Sequence, residues 1–163
     1  MQKSELYREA EAEIRAILHD EGGDHLDAIA AMATVNSVLA SKFEKFFWTG
    51  FYRVDRKRLV VGPYIGTVGC LMIPFGRGVC GAAAERRETV IVPDVHQFPG
   101  HIACDSRSRS EIVVPVFDAS DALIAVLDVD STELATFDEE DRAGLERICA
   151  IFRDLSRPHE VDR

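Results

Sequence analysis

Two apolar runs joined by a short polar turn restrict the folds open to this chain more than any other feature. Residues 111–130 read EIVVPVFDASDALIAVLDVD, in which ASD separates the two runs. Apolar runs rich in valine and bounded by turn residues are typical of β-strands, and a connection this short pairs its strands antiparallel. The sequence therefore predicts a fold that contains an antiparallel hairpin.

Other segments predict the rest of a sheet and its helices. FFWTGFYRVD and LVVGPY flank the turn DRKR, and GCLMIPF and TVIVPD each read as one more short strand. Apolar residues recur at helical spacing over residues 4–19 and in a second helix that starts near Asp24, a suitable N-cap, and runs to about Phe43. GRGVCGAAAERR reads as a turn into a short helix. The last helix starts at TFDEED, where Asp138 can cap it and Asp141 supports the first turn.

These elements predict a single domain of the α+β class over residues 1–163. Helices pack on one face of a central antiparallel sheet of about six strands. Residues 1–43 supply the N-terminal helices, residues 46–130 supply the sheet and the loops of the candidate site, and residues 137–156 supply the C-terminal helix. A chain of 163 residues suits one domain.

The composition argues against two classes of ligand. The formal net charge of −9 argues against nucleic acid, because phosphate binding needs a basic face. No stretch approaches the roughly 20 apolar residues of a membrane span, and the N-terminal MQKSELYREAEAE is too acidic for a signal or transit peptide. We therefore expect a cytoplasmic protein that binds neither nucleic acid nor a membrane.

Two aspartates share one face of the second apolar run. Because side chains alternate along a strand, Ile124 and Val126 should point the same way as Asp128 and Asp130. In a shielded place the two carboxylates would repel each other, which raises the pKa of one of them. Such a pair could hold a metal, hold a ligand amine or share a proton for acid catalysis. Alternatively, the strand reaches the surface after Leu127 and both aspartates lie in water.

An aromatic pair and one more carboxylate could complete a site. The same alternation puts Trp48, Gly50 and Tyr52 on one face, where the glycine leaves room for a small ligand. Taken by itself, however, this pattern favours core packing. Glu111 opens the strand that the ASD turn pairs with the aspartate strand, so it could join the two aspartates. Taken alone, it reads as a surface carboxylate.

One cysteine lies in an unusually polar segment. Cys104 is embedded in DVHQFPGHIACDSRSRSE, although free cysteine is usually buried. A reactive thiol needs nearby positive charge and access to its substrate. His101, Arg107 and Arg109 could supply the charge, and the polar loop could supply the access.

The other cysteines allow fewer interpretations. Cys80 follows GRG at a predicted helix start, where the helix dipole favours a thiolate, whereas Cys149 fits the core. No CxxC occurs, so neither a zinc ribbon nor a thioredoxin-type motif is supported. A looser metal site built from His96, His101, Cys104 and Cys80 would have wider spacing than zinc sites usually have.

Five segments occur in the order WTGFYRVD, LVVGPYIG, GRGVCG, DVHQFPGHIACDSRSRSEIVVPV and VLDVDS. Together, from about Phe46 to Glu140, they resemble the free methionine-(R)-sulfoxide reductases, which are stand-alone GAF-domain enzymes. The resemblance implies a single GAF domain that reduces the R epimer of free methionine sulfoxide. It also implies cysteine chemistry without a metal or organic cofactor, recycling by thioredoxin, and a homodimer.

The resemblance implies a role for each matching cysteine. Cys104 corresponds to the nucleophile, Cys70 to the resolving cysteine and Cys80 to a third family cysteine. The Cys104 thiolate would attack the sulfoxide sulfur and become a sulfenic acid. Cys70 would condense with that sulfenic acid to a disulfide, and thioredoxin would reduce the disulfide by exchange.

The resemblance also implies a substrate-binding set. Carboxylates of this set would bind the substrate ammonium and polarise the sulfoxide, and the aromatic rings would surround the methyl group. The matching residues are Trp48, Tyr52, Glu111, Asp128 and Asp130.

Two alternatives belong to other functional classes. A GAF sensor would bind a small ligand without turnover and would explain the aromatic and acidic pairs. A thiol redox switch would use Cys70 and Cys104 to change a partner-binding surface. It would form a disulfide with peroxide but would not reduce methionine sulfoxide catalytically.

Overall fold

The computed structural model describes residues 1–22, 26–102 and 104–155. Over these ranges the strands form one six-stranded antiparallel sheet in the order β3-β2-β1-β6-β5-β4. The predicted α+β class and the antiparallel sheet of about six strands are confirmed. The strands are β1 (Trp48–Asp55), β2 (Arg58–Ile65), β3 (Met72–Pro74), β4 (Val90–Val92), β5 (Ser110–Phe117) and β6 (Leu123–Ser131). The helices are α1 (Lys3–Gly22), α2 (Ala28–Lys42), α3 (Gly78–Arg86), α4 (Glu139–Cys149) and α5 (Ile151–Leu155).

The hairpin predicted from the two apolar runs is formed by β5 and β6. In its turn, Asp118 Oδ1 accepts hydrogen bonds from the backbone N–H groups of Ser120 and Ala122, at 2.9 and 3.1 Å. A short acidic side chain that bonds to the backbone ahead of it stabilises a tight turn. This turn places β5 beside β6, which brings Glu111 opposite Asp130.

The sheet has a different cover on each face. Helices α1, α2, α4 and α5 bury one face in a core that includes Tyr7, Leu39, Phe51, Leu127 and Phe152. The short helix α3 packs on the opposite face and buries its own apolar residues there. Because α3 is short, it covers this second face only in part and leaves room beside it for a cavity.

One predicted side-chain direction is wrong. Ile124 does not follow Val126 and instead packs at the margin of the core under the long helices. It lies at the start of β6, next to a register irregularity between Val116 and Phe117 of β5. An irregularity of this kind interrupts the alternation of faces, so the alternation is regular only beyond Ile124.

Two predicted helix boundaries differ from the structure. The predicted start of the second helix near Asp24 lies outside the described residues. The described helix α2 is capped by Asp27, whose Oδ1 accepts from the N–H groups of Ile29 and Ala30. The predicted C-terminal helix 137–156 is divided into α4 and α5 by a turn at Ala150, and residue 156 lies outside the described residues.

The predicted start of the last helix is confirmed. Asp138 caps α4, and Asp141 Oδ2 accepts a hydrogen bond from the Asp138 N–H, which completes a capping box. None of the helices within the described ranges combines the length and apolar character that crossing a membrane requires.

Candidate active site

A cavity lies on the sheet face that α3 covers in part. Its walls come from β1, β3, β5, β6, the start of α3, and the segments 67–69, 101–102 and 104–108. The sequence-predicted site residues that line it are Trp48, Tyr52, Cys80, Cys104, Glu111, Asp128 and Asp130. Cys70 is joined to this group by a disulfide to Cys104. The structure thus brings together the aromatic residues, the carboxylates and the three cysteines that the sequence analysis assigned to a site.

Three adjacent strands align the carboxyl groups. Strand β6 lies between β1 and β5, and Asp130 pairs with Trp48 on one side and with Glu111 on the other. Two residues earlier on β6, Asp128 lies opposite Gly50 of β1. Because side chains two residues apart share a face, the acids and the aromatic wall meet in one place.

Burial raises the pKa of all three carboxyl groups. The pKa of Glu111 lies well above its usual value because the group is buried beside Asp128 and Asp130. Burial and the Asp128 charge raise the pKa of Asp130 well above its usual value, although a hydrogen bond from Ser108 opposes the shift. Burial raises the pKa of Asp128 to about 6, and hydrogen bonds from Glu111 and Cys80 limit this rise. The cluster can therefore hold protons at a pH where exposed carboxyl groups are ionised.

Cys80 lies against this acidic cluster. Its Sγ is 3.8 Å from Glu111 Oε1, and burial followed by the Asp128 charge raises the pKa of the thiol well above its usual value. Ligand atoms of Cys80, Glu111 and Asp128 lie within 4.8 Å of one another. No donor among the described residues reaches the buried Asp128 Oδ1. Such a cluster can accept a cation, either a metal ion or an ammonium group, in exchange for its protons.

The aromatic wall is tightly packed. The rings of Trp48 and Tyr52 stack at 5.7 Å, and the rings of Trp48 and Tyr64 stack at 5.0 Å. A Cβ atom on Gly50 would overlap both the Trp48 ring and the Tyr64 Cβ. The glycine is therefore needed for the close approach of the rings, and the wall presents a flat apolar surface to the cavity.

The disulfide joins two segments at the mouth of the cavity. Cys70 and Cys104 have their Cα atoms 5.7 Å apart. A second link runs beside it, in which Thr67 Oγ1 donates to Asp105 Oδ2 at 2.7 Å. The Thr67 carbonyl accepts from Trp48 Nε1 at 2.8 Å. Thr67 thus ties the cysteine-bearing segments to each other and to the aromatic wall.

His101 lies beside the acids. Its Nε2 is 3.8 Å from Glu111 Oε2, and burial, assisted by His96, lowers the pKa of the imidazole. The ring is therefore neutral at neutral pH, and the contact is not an ion pair under those conditions. Because the Cys104 sulfur is in the disulfide, it is not available to the loose metal site that we considered with His96, His101 and Cys80.

The arginines near Cys104 face other groups. Arg107 Nη2 lies 2.9 Å from Asp105 Oδ2, and its guanidinium lies 4.9 Å from the centre of the Phe47 ring. Hydrogen bonds from Arg107 hold the pKa of Asp105 well below its usual value. The charge of Arg107 is thus compensated by Asp105, while Arg109 is exposed and bonds through its backbone N–H to Ser131.

Two residues of the site have no distinct signal in the sequence. Thr67 connects the two loops, and Ser108 is buried and hydrogen-bonds to Asp130. Serine and threonine are common in polar loops, where most of them face water. Their importance becomes visible only when the loops are folded against the sheet.

Comparisons with known proteins agree with this geometry. A family model described as GAF domain matches residues 25–153. The free methionine-R-sulfoxide reductase of Escherichia coli is 39% identical over 150 residues, which cover 92% of this chain and 88% of that protein. GAF domain-containing protein A of Dictyostelium discoideum is 46% identical over 151 residues, which cover 92% of each protein.

A solved structure extends the likeness to three dimensions. It is the free methionine-R-sulfoxide reductase of Neisseria meningitidis in complex with its substrate, which is 44% identical and superposes with a TM-score of 0.88. The superposition covers 95% of this chain and 90% of that one. The chain therefore belongs to the GAF-domain family of free methionine-R-sulfoxide reductases.

Proposed function

We propose that this protein reduces free methionine-R-sulfoxide to methionine, with Cys104 as nucleophile and Cys70 as resolving thiol. The observation that carries the proposal is the Cys70–Cys104 disulfide at the mouth of a cavity that also holds three protonatable acids. A thiol supplies the electrons for sulfoxide reduction, and an acid makes the sulfoxide oxygen a better leaving group. Both requirements are met within one cavity.

Chemistry begins with the reduced Cys104. Its thiolate attacks the substrate sulfur and forms an S–S bond, while Glu111, Asp128 or Asp130 donates a proton to the sulfoxide oxygen. The protonated oxygen then transfers to the Cys104 sulfur as the S–S bond and the S–O bond of the substrate break, which leaves Cys104 as a sulfenic acid and releases methionine. The Cys70 thiol then attacks the Cys104 sulfur, which forms the disulfide and releases water. Raised pKa values at the acids keep protons available for the first step.

The remaining acids bind the substrate ammonium. In the free amino acid this group is charged, whereas in a peptide it is part of an uncharged amide. A buried carboxylate paired with an ammonium rejects an analogue without that charge, because the carboxylate is left unpaired. The unpartnered Asp128 Oδ1 is available for this contact, and the wall of Trp48 and Tyr52 can pack against the methyl group. Selectivity for the free amino acid follows from this arrangement.

Cys80 acts in this proposal as an un-ionised thiol beside the acids. Burial and the neighbouring carboxyl groups raise its pKa, which disfavours the thiolate that disulfide exchange requires. Cys70, which is bonded to Cys104, is therefore assigned the resolving role. Thioredoxin recycles the disulfide, and the homodimer and cytoplasmic location stay predictions from the family resemblance.

Turnover of separate substrates tests the proposal. We expect thioredoxin-coupled NADPH oxidation with the R epimer of free methionine sulfoxide. The S epimer and the N-acetylated R epimer should give rates at least about a hundredfold lower, because each fails to make one of the contacts that the R epimer of the free amino acid makes. Cys104→Ser should abolish turnover.

Cys149→Ser is the matched control, because Cys149 is a buried cysteine on α4 and lies in the core under the long helices. It should retain turnover. Binding of the R epimer without turnover, in protein with reduced thiols, would instead indicate a GAF sensor. Disulfide formation by peroxide without turnover would indicate a redox switch.

A further inference from the structure

Exposed apolar side chains lie on or next to the two segments that the disulfide joins. Val68 is 80% exposed, Leu71 is 76% exposed and Met72 is 51% exposed. Ile102, on the segment that carries Cys104, is 36% exposed. We call these four residues the mouth patch: Val68, Leu71, Met72 and Ile102.

The mouth patch lies at the entrance to the cavity. Val68 and Ile102 line the cavity together with Cys104, and Leu71 follows Cys70 in the chain. On β3, Ile73 is buried while Met72 points outward. Leu71 and Met72 are not among the residues that line the cavity, so substrate binding does not account for their apolar character.

The exposure is concentrated at this place. Apart from Ile65, which ends β2 just before the cysteine-bearing segment, the other exposed large apolar side chains in the described ranges are scattered. These are Met1, Ile29 and Leu134. Scattered apolar residues need no explanation, whereas an exposed apolar patch marks a surface that another molecule covers.

The disulfide within the patch limits the chemistry of that molecule. To reduce the disulfide, a partner must bring a thiolate into contact with one of its sulfur atoms. A small thiol could do so without an apolar surface. A protein whose reactive thiol lies on an apolar face would bury the mouth patch as it approached.

We infer that the mouth patch is the docking surface for a dithiol protein of the thioredoxin class, an inference that rests on the proposed function. The partner thiolate attacks Cys70 Sγ, and the Cys70–Cys104 bond breaks with Cys104 leaving as a thiolate. The second thiol of the partner then attacks the mixed disulfide. Cys70 is released as a thiol, and the partner, now a disulfide, has given up two electrons.

Attack at Cys70 follows from its position. Cys104 is exposed and Cys70 is half-buried, so exposure alone does not choose between the two sulfur atoms. Cys70, however, lies between Val68 and Leu71, the two most exposed side chains of the patch, whereas Cys104 lines the cavity. Departure of Cys104 also restores its thiolate at the place where the next substrate binds. The docked partner therefore regenerates the nucleophile in a single displacement.

Reduction of the preformed disulfide tests docking without methionine sulfoxide. Oxidised protein is mixed with reduced thioredoxin or with dithiothreitol, and the second-order rate constant of disulfide reduction is measured for each. Leu71→Ser should lower the thioredoxin rate constant about tenfold, because most of an apolar contact is lost. It should leave the dithiothreitol rate constant unchanged.

Ile29→Ser is the matched control. Ile29 is also an exposed apolar residue, at 41%, but it lies on α2, which covers the opposite face of the sheet. Both rate constants should remain at the wild-type value. Equal thioredoxin rate constants for Leu71→Ser and the wild type would overturn the docking surface, even if the protein reduces methionine sulfoxide.

Trapping identifies the sulfur that is attacked. A thioredoxin whose second cysteine is replaced by serine should accumulate as a mixed disulfide with the peptide that contains Cys70, as read by mass spectrometry. A mixed disulfide on Cys104 would overturn the assignment. So would a wild-type dimer that Leu71→Ser dissociates in sedimentation, because a second copy of the chain would then cover the patch.

Discussion

At the scale of single residues, the site holds acidic groups in surroundings that disfavour their charge. Glu111, Asp128 and Cys80 are buried within reach of one another, and each has a raised pKa because burial removes water from its ionised form. Groups of this kind lower the folding stability of a protein, which retains them where its function requires them. Measurements of stability against pH can detect this loss.

Asp128→Asn should change how stability depends on pH. The pKa of Asp128 is raised from 3.8 to about 6 in the folded protein. The stability that the protonated carboxyl contributes is therefore fully present below pH 3.8 and is lost as the pH rises through about 6. Asparagine has no charge to lose. Between about pH 4 and about pH 8, the free energy of unfolding of the variant minus that of the wild type should therefore increase by up to about 3 kcal/mol.

Urea unfolding of both proteins at the two pH values provides this measurement. Loss of the Asp128 charge also lowers the raised pKa values of Glu111 and Asp130, which acts in the same direction. Asp55→Asn is a suitable control because Asp55 is solvent-accessible, lies at the far end of β1 and has a lowered pKa. Identical pH dependence of Asp128→Asn and the wild type would contradict the assignment of a raised pKa.

At the scale of elements, helices α1 and α4 pack through a ring and a glycine. A Cβ atom on Gly144 would overlap the ring of Tyr7. The Tyr7 hydroxyl donates to Asp141 Oδ1 at 2.7 Å, and Lys3 Nζ lies 2.7 Å from Asp141 Oδ2. The carboxylate that closes the capping box of α4 thus also holds two side chains of α1.

Gly144→Ala should destabilise the protein although alanine favours helices. The propensity gain is about 1 kcal/mol, but the added methyl group forces the Tyr7 ring away from its place. Overpacking of this kind usually costs about 1 to 3 kcal/mol. We expect a lower denaturation midpoint for Gly144→Ala.

Gly100→Ala serves as a comparison of a different kind. There the added Cβ meets no atom within 4 Å, so any loss reflects the positive φ of 73°. A Gly144→Ala variant more stable than the wild type would contradict this prediction, because the Tyr7 ring on α1 would then shift to accommodate the methyl group at a cost below the propensity gain.

Sequence patterns predicted the elements better than their contacts. Alternation along β1 and β6 correctly brought Trp48, Tyr52, Asp128 and Asp130 to one face, because a regular strand has only two faces. It failed at Ile124, where the register is irregular. The same local reasoning could not predict that Asp141 is buried against α1, because that contact joins residues far apart in the chain.

At the scale of the whole molecule, the disulfide joins two loops that come from different parts of the sheet. Cys70 and Cys104 are 34 residues apart in sequence, and β3, α3 and β4 lie between them. The oxidised protein is therefore cross-linked beside the cavity. Formation and loss of the cross-link during the proposed cycle should change stability measurably.

Reduction of the disulfide should lower the free energy of unfolding by about 3 to 4 kcal/mol, the loop-closure entropy for a separation of this size. Guanidinium unfolding of the oxidised wild type and of Cys70→Ser gives this difference. In the presence of a reductant the two proteins should unfold at nearly the same midpoint. A difference of the same size with reductant present would mean that the Cys70 side chain, and not the cross-link, stabilises the fold.

The contact between Trp48 and Thr67 has an optical consequence. The chain contains a single tryptophan, and its indole nitrogen donates to the Thr67 carbonyl on the segment that carries Cys70. Intrinsic tryptophan fluorescence of this protein therefore originates entirely from the wall of the cavity. Emission can report substrate entry and disulfide reduction in the unlabelled protein, without contributions from the rest of the fold.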